Sequence, residues 1–168
     1  MSYLSQNLNS EISKSSKIDY ETTILQLKSV VSGESNLVAN LANTSSLLKS
    51  NHHYFWVGFY IVDESVNELV LGPFQGTLAC TRIPFGKGVC GTAWKMDQSQ
   101  FIPNVHEFPG HIACDSKSET EIVIVIKNPA TKKIWGVLDV DSHIKGGLTS
   151  EDFTQLSKIG LIIESLLK

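Results

Sequence analysis

Asp139 and Asp141 stand two positions apart in Gly136-Val-Leu-Asp-Val-Asp-Ser142, and Glu121 opens the apolar run before it. In an extended strand alternate side chains share a face, so both aspartates point with Val137 and away from Leu138 and Val140. Glu121 joins them if the two runs pair as a hairpin. Three carboxyl groups in a partly dry pocket do not all ionise freely, and at least one should hold its proton above the ordinary range. Such a cluster offers a proton donor and an anionic partner for an ammonium group. A solvent-exposed strand end is the plain alternative for a single aspartate; here apolar residues lie between and before the pair.

The second set is three cysteines, Cys80, Cys90 and Cys114. Their spacing matches no CxxC redox motif. Three thiols cannot all pair with one another, so at least one is free in any monomeric state. A zinc site built from His106, His111 and Cys114 with Cys80 or Cys90 lacks the usual short ligand spacing, and no metal is expected. Buried inert cysteines are the other alternative. Placement in a stretch rich in glycine and proline, rather than in apolar strands, points instead to groups carried on loops over a rigid scaffold.

Two helices, two hairpins and a closing helix must position these groups. Tyr20, Ile24, Leu25, Leu27, Val30 and Val31 form one apolar stripe, and Leu37, Val38, Leu41, Leu47 and Leu48 a second. From Tyr54 the period changes to two: Phe55, Val57, Phe59 and Ile61 fall on one face, and Trp56, Gly58, Tyr60 and Val62 on the other. Gly58 between Trp56 and Tyr60 leaves space over the strand. Glu68 to Phe74 completes the first hairpin. Between Leu71 and His111 much of the chain reads as loop, with a short helix from Gly91 to Met96 and a short strand near Phe101. Residues 122–126 and 134–141 make the second hairpin. Thr149-x-x-Asp152 resembles a capping box before a last amphipathic helix. The order implies an α+β domain, an antiparallel sheet with helices packed on it, spanning residues 19–168 after an extension of residues 1–18.

Composition removes several classes of function. The chain has 168 residues, 42% of them apolar, with 14 Lys+Arg against 17 Asp+Glu and a net charge of −3. That suffices for one real core and gives no basic excess for nucleic acid or an anionic membrane. The most apolar stretch, Tyr54 to Val62, is nine residues including Gly58, about half the roughly 20 that cross a bilayer. The first residues carry no secretory pattern, so a cytoplasmic location is expected, where a structural disulfide is unfavoured.

Five segments carry a resemblance: Gly72-Pro-Phe-Gln-Gly76, Ala79-Cys-Thr-Arg-Ile-Pro84, Gly86-Lys-Gly-Val-Cys-Gly-Thr-Ala93, Gly110-His-Ile-Ala-Cys-Asp115 and Gly136-Val-Leu-Asp-Val-Asp-Ser142. In this order they resemble the free methionine-(R)-sulfoxide reductases, single GAF-domain enzymes, from about Tyr20 to the C-terminus. The sequence departs from the family pattern at Ser118 to Val125 and in a slightly longer turn at Asn128 to Lys133, neither of which touches a cysteine. The resemblance implies a GAF-like antiparallel sheet and reduction of free methionine-(R)-sulfoxide, a role in oxidative stress. It makes Cys114 the nucleophile, Cys80 the resolving thiol and Cys90 the third family cysteine. It maps the substrate pocket onto Trp56, Tyr60, Glu121, Asp139 and Asp141. It further implies no tightly bound cofactor, thioredoxin as external reductant, and a homodimer. The alternative from another class is a GAF-type small-molecule or redox sensor without turnover.

Overall fold

A computed structural model of the chain describes residues 19–110 and 116–167. Helix α1, Tyr20–Val31, starts where the Asp19 carboxylate accepts the Thr22 amide at 2.8 Å. Helix α2, Leu37–His52, is capped in the same way by Asn36 and ends at His53, which is in the left-handed region at φ 57°. These side-chain caps satisfy amides that the first turn leaves without partners.

The chain then runs through β1, Trp56–Asp63, and β2, Glu68–Gln75, a hairpin, followed by the short edge strand β3, Arg82–Pro84. Helix α3, Gly88–Met96, leads to β4, Gln100–Ile102, and a single 3₁₀ turn, Val105–Glu107. The second hairpin is β5, Thr120–Lys127, and β6, Ile134–Ser142. Helix α4, Ser150–Glu164, closes the unit. Its capping box is complete, with Thr149 and Asp152 each taking the other's backbone amide.

The six strands form one antiparallel sheet in the order β3-β2-β1-β6-β5-β4. The strand-face alternation gives each side of the sheet its own core. On one side Val57, Phe59, Ile122, Ile124, Leu138 and Val140 meet Leu27, Leu41, Leu48, Leu156, Ile159 and Ile163 from α1, α2 and α4. On the other, Trp56, Tyr60, Val123 and Val137 meet Val89, Cys90 and Ala93 of α3, with Leu69 and Ile83. Among the described residues, no helix is long and apolar enough to cross a membrane.

The structure amends the sequence reading in four places. The alternation begins at Trp56, not Tyr54: Phe55 packs on the α3 side, away from Val57 and Phe59, and edges onto the His143 ring at 5.3 Å. Leu25, Val30 and Val38 lie outside the buried helix stripes and are exposed. Residues 82–84, expected as loop, form strand β3. Helix α3 begins at Gly88, not Gly91, and this puts Cys90 in a helix rather than a loop. Gly91 is allowed there, indeed required, because a Cβ at that position would stand 2.6 Å from the Pro84 carbonyl oxygen where α3 closes on β3.

Candidate active site

Register brings the three acidic residues together. Asp141 of β6 pairs with Trp56 on one side and Glu121 on the other, while Asp139 pairs with Gly58 and Val123. Trp56, Gly58, Tyr60, Glu121, Asp139 and Asp141 therefore share the sheet face that α3 covers. Backbone and side-chain bonds fix the end of β5 that carries Glu121. The Glu119 amide bonds the Ser142 carbonyl at 2.8 Å, and the Thr120 hydroxyl bonds the Ile144 carbonyl at 3.1 Å and accepts the Gly146 amide at 3.0 Å. The Phe55 amide bonds the Asp141 carbonyl at 3.0 Å, tying the start of β1 to the same corner.

Cys90 meets this face from the first turn of α3. Its thiol points at Glu121 Oε1 from 4.0 Å, and the Cys90, Glu121 and Asp139 polar atoms all lie within 4.8 Å of one another. All three residues are buried, and Asp141 is half-buried. Asp139 Oδ1 has no hydrogen-bond partner among the described residues.

Proton affinities follow from this geometry. Burial, then the neighbouring Asp141 charge, raises the Glu121 carboxyl well above its ordinary value. Burial, then Asp141 and Glu121, does the same to Asp139. Burial and the three carboxylates, Asp139 foremost, also push the Cys90 thiol up. A helix N-terminus acts the other way on a thiol, but by only about 0.3–1 kcal/mol, under one pKa unit, whereas full burial moves a group by up to about 3–5 units. Burial wins, and Cys90 is held as the neutral thiol, a poor nucleophile.

The aromatic pair forms the adjacent wall and is wired to a loop. Trp56 stacks on Phe74 at 5.4 Å and on Tyr60 at 6.0 Å, and its Nε1–H donates to the Thr77 carbonyl at 3.1 Å. The Tyr60 hydroxyl donates to the Cys80 carbonyl at 2.9 Å. Both aromatics thus hold the segment that carries Cys80. The space expected over Gly58 is already filled: a Cβ there would stand 2.3 Å from Phe74 Cβ and 2.6 Å from the Trp56 ring. Glycine at this position lets the indole lie flat across the strand. Phe74 and Thr77 escaped the sequence reading; Thr77 acts through its backbone carbonyl, to which its side-chain type gives no clue.

Cys80 is half-buried and disulfide-bonded, whereas Cys90 is a free thiol. Cys114 and His111 lie outside the described residues. His106 is exposed, sits 3.3 Å from Glu119 and takes no part in the Cys90 cluster.

No protein-family model matches the chain. It is 48% identical over 141 residues to the free methionine-R-sulfoxide reductase of Escherichia coli strain K12, covering 82% of each protein. The chain belongs to the free methionine-R-sulfoxide reductase family. Membership makes it an oxidoreductase of the methionine sulfoxide reductase type. It is also 47% identical over 156 residues to GAF domain-containing protein A of Dictyostelium discoideum, covering 92% of this chain and 97% of that protein. The solved free methionine-R-sulfoxide reductase of Neisseria meningitidis, in complex with its substrate, superposes with a TM-score of 0.85 at 46% identity, over 88% of this chain and 87% of that one. The α+β sheet described above is accordingly a GAF fold, as the resemblance implied.

Proposed function

We propose that the chain reduces free L-methionine-(R)-sulfoxide to L-methionine, with Cys114 as nucleophile and Cys80 as resolving thiol. The observation that carries this reading is the buried cluster of Glu121, Asp139 and Cys90 beneath an aromatic wall whose polar atoms hold the Cys80 segment.

Reduction of a sulfoxide needs a soft nucleophile at sulfur and a proton for the oxygen, because oxide is a poor leaving group. The Cys114 thiolate attacks the sulfoxide sulfur while a protonated carboxyl from the Glu121/Asp139 pair gives its proton to the oxygen. The sulfur–sulfur bond so formed then breaks as the hydroxyl passes from the methionine sulfur to the Cys114 sulfur, so that methionine leaves with a lone pair on its sulfur and Cys114 becomes a sulfenic acid. The Cys80 thiol then displaces water from that sulfur, giving a Cys80–Cys114 disulfide. A dithiol, taken here as thioredoxin, returns two electrons and two protons by thiol–disulfide exchange. The disulfide at Cys80 and the free thiol at Cys90 support this pairing. The protonated state of Cys90 supports its exclusion from the nucleophilic role.

Selectivity for the free amino acid follows from charge. With two carboxyls of the cluster protonated, one carboxylate remains to pair with the substrate's α-ammonium, a charge that a peptide bond removes. Trp56, packed against Phe74 and Tyr60, walls the S-methyl side and so selects the epimer. Thioredoxin as reductant places the enzyme in a reducing compartment, the cytoplasm, and the working form is taken to be a homodimer.

The deciding experiment is an epimer-resolved assay of methionine formation with a dithiol. Turnover is expected with free methionine-(R)-sulfoxide and not with the S epimer or with peptidyl methionine sulfoxide. Equal rates on all three would remove the reading.

A further inference from the structure

The mechanism uses the protons of the Glu121/Asp139 pair but assigns no task to Cys90, the third member of the same cluster. Its thiol and the two carboxyls converge from α3, β5 and β6, with all three ligating atoms within 4.8 Å of one another. Each residue is at most 7% exposed. The Asp139 carboxyl carries a buried oxygen, Oδ1, that has no hydrogen-bond partner among the described residues.

Three acidic groups facing one another in a dry site can relieve their repulsion in two ways, by holding protons or by sharing a cation. The donor set decides which cation. One sulfur and two carboxylate oxygens suit a borderline-soft ion with few ligands, as zinc is, whose fourth position water can fill. Calcium, which takes 6–8 oxygens, and magnesium, which demands a near-octahedral oxygen shell, do not match.

We infer that Cys90, Glu121 and Asp139 form an inhibitory site for a thiophilic divalent cation, Zn²⁺ or Co²⁺, held by the Cys90 sulfur and one oxygen of each carboxyl. The inhibition rests on the reading of this pocket as the substrate site; the binding does not. An ion here removes the proton donors and sets a positive charge beside Asp141, the carboxylate left to pair with the substrate's ammonium. Because each ligand must lose a proton, affinity rises with pH.

The disulfide form provides a clean test. With Cys80 disulfide-bonded, Cys90 is the thiol available among the described residues. Full-length protein is air-oxidised, its free thiol content is counted as one per chain, and it is titrated with Co²⁺. The expected result is one ion per chain with a sulfur-to-cobalt charge-transfer band in the near ultraviolet, displaced by Zn²⁺. The band should vanish in both Cys90→Ser and Cys90→Ala, and Asp139→Asn should weaken binding at least about tenfold, since loss of an inner ligand costs no less than loss of an outer partner, about 10–100-fold. Circular dichroism selects the variants that fold. Absence of the band at excess Co²⁺, or a band that both Cys90 variants retain, overturns the site. The inhibition is read on the reduced enzyme, where Zn²⁺ should raise the apparent KM for methionine sulfoxide and a chelator should restore it; binding without such competition overturns the inhibitory role. If the enzyme forms no methionine from any sulfoxide while the cobalt band persists, the functional reading fails and the cation site stands.

Discussion

Glu121 and Asp141 are direct cross-strand partners in the β5–β6 register, two acidic side chains placed opposite each other where like charges destabilise a sheet. The fold meets this conflict by favouring protonated Glu121, whose carboxyl is raised by burial and by Asp141. The stability tied to that proton is fully present below the unfolded-state glutamate value, about 4.3, and is lost as pH rises through the higher folded-state value. Glu121→Gln cannot ionise and escapes this loss. The variant should therefore be the more stable protein at neutral and alkaline pH, by roughly 0.5–2 kcal/mol, and the gap should close in acid. Denaturant titrations across pH measure it. A constant difference at every pH would contradict the argument.

The same substitution should cost catalysis. An amide keeps the shape of Glu121 but has no proton to give to a sulfoxide oxygen, and loss of a general acid lowers rates by about 10²–10⁴-fold. With kcat reduced and KM for methionine-(R)-sulfoxide changed less, Glu121→Gln would be a stabilised but disabled enzyme. If kcat holds while KM rises, Glu121 binds substrate and the proton comes from elsewhere in the cluster.

Much of this site could be read from strand parity alone. Once Asp139 and Asp141 were placed in a strand and Glu121 in its hairpin partner, the shared face followed, because the side-chain period is two and admits no other outcome. The second hairpin and the closing helix were legible for similar reasons, the latter through Thr149 and Asp152. What escaped were features with no periodic signal. Strand β3 has three residues and ends in Pro84, and α3 begins at Gly88 behind Lys87, whose side chain makes no capping bond. Cys90 consequently read as a loop cysteine, although α3 buries it against the carboxyls. The tilt of Trp56 over Gly58 was equally invisible, since it depends on Phe74 and on the Thr77 carbonyl.

That tilt makes a prediction about Trp56. Phenylalanine at position 56 keeps the stack on Phe74 but loses the Nε1–H that donates to Thr77. The bond should be worth about 0.5–1.5 kcal/mol in stability, and a smaller wall beside the substrate methyl should lower kcat/KM at least about tenfold, within the 10–200-fold range for a missing apolar contact. The loss should fall mainly on KM, and discrimination between epimers should narrow. A variant with unchanged epimer ratio would show that Trp56 is structural only.

On the opposite face of the sheet, Asp152 serves two elements at once. Its Oδ2 accepts the Thr149 amide at 2.7 Å in the α4 capping box, and its Oδ1 accepts the Tyr20 hydroxyl of α1 at 2.6 Å. Asp152→Ala removes the acceptor of the Thr149 amide, one half of the capping box, and leaves the half-buried Tyr20 hydroxyl with one partner fewer, about 0.5–1.5 kcal/mol for each bond. Unfolding should come earlier in denaturant, while kcat and KM at low temperature stay at the parent values because no site residue lies on that face. A large fall in kcat without loss of stability would mean that the two sides of the sheet are coupled.

The division of labour between thiols is separable by counting turnovers. Cys114→Ser should release no methionine, because attack on sulfur is the first chemical step and a serine hydroxyl is neither soft nor ionised. Cys80→Ser retains the nucleophile, so one equivalent of methionine per chain should appear in a rapid-quench experiment, followed by arrest at a sulfenic acid that a dimedone-type reagent traps. Recovery of multiple turnovers with thioredoxin should then require Cys80. Release of one equivalent by Cys114→Ser would transfer the nucleophilic role to another thiol, and Cys90 is the less suited of the two that remain, since its proton is held by burial and by Asp139.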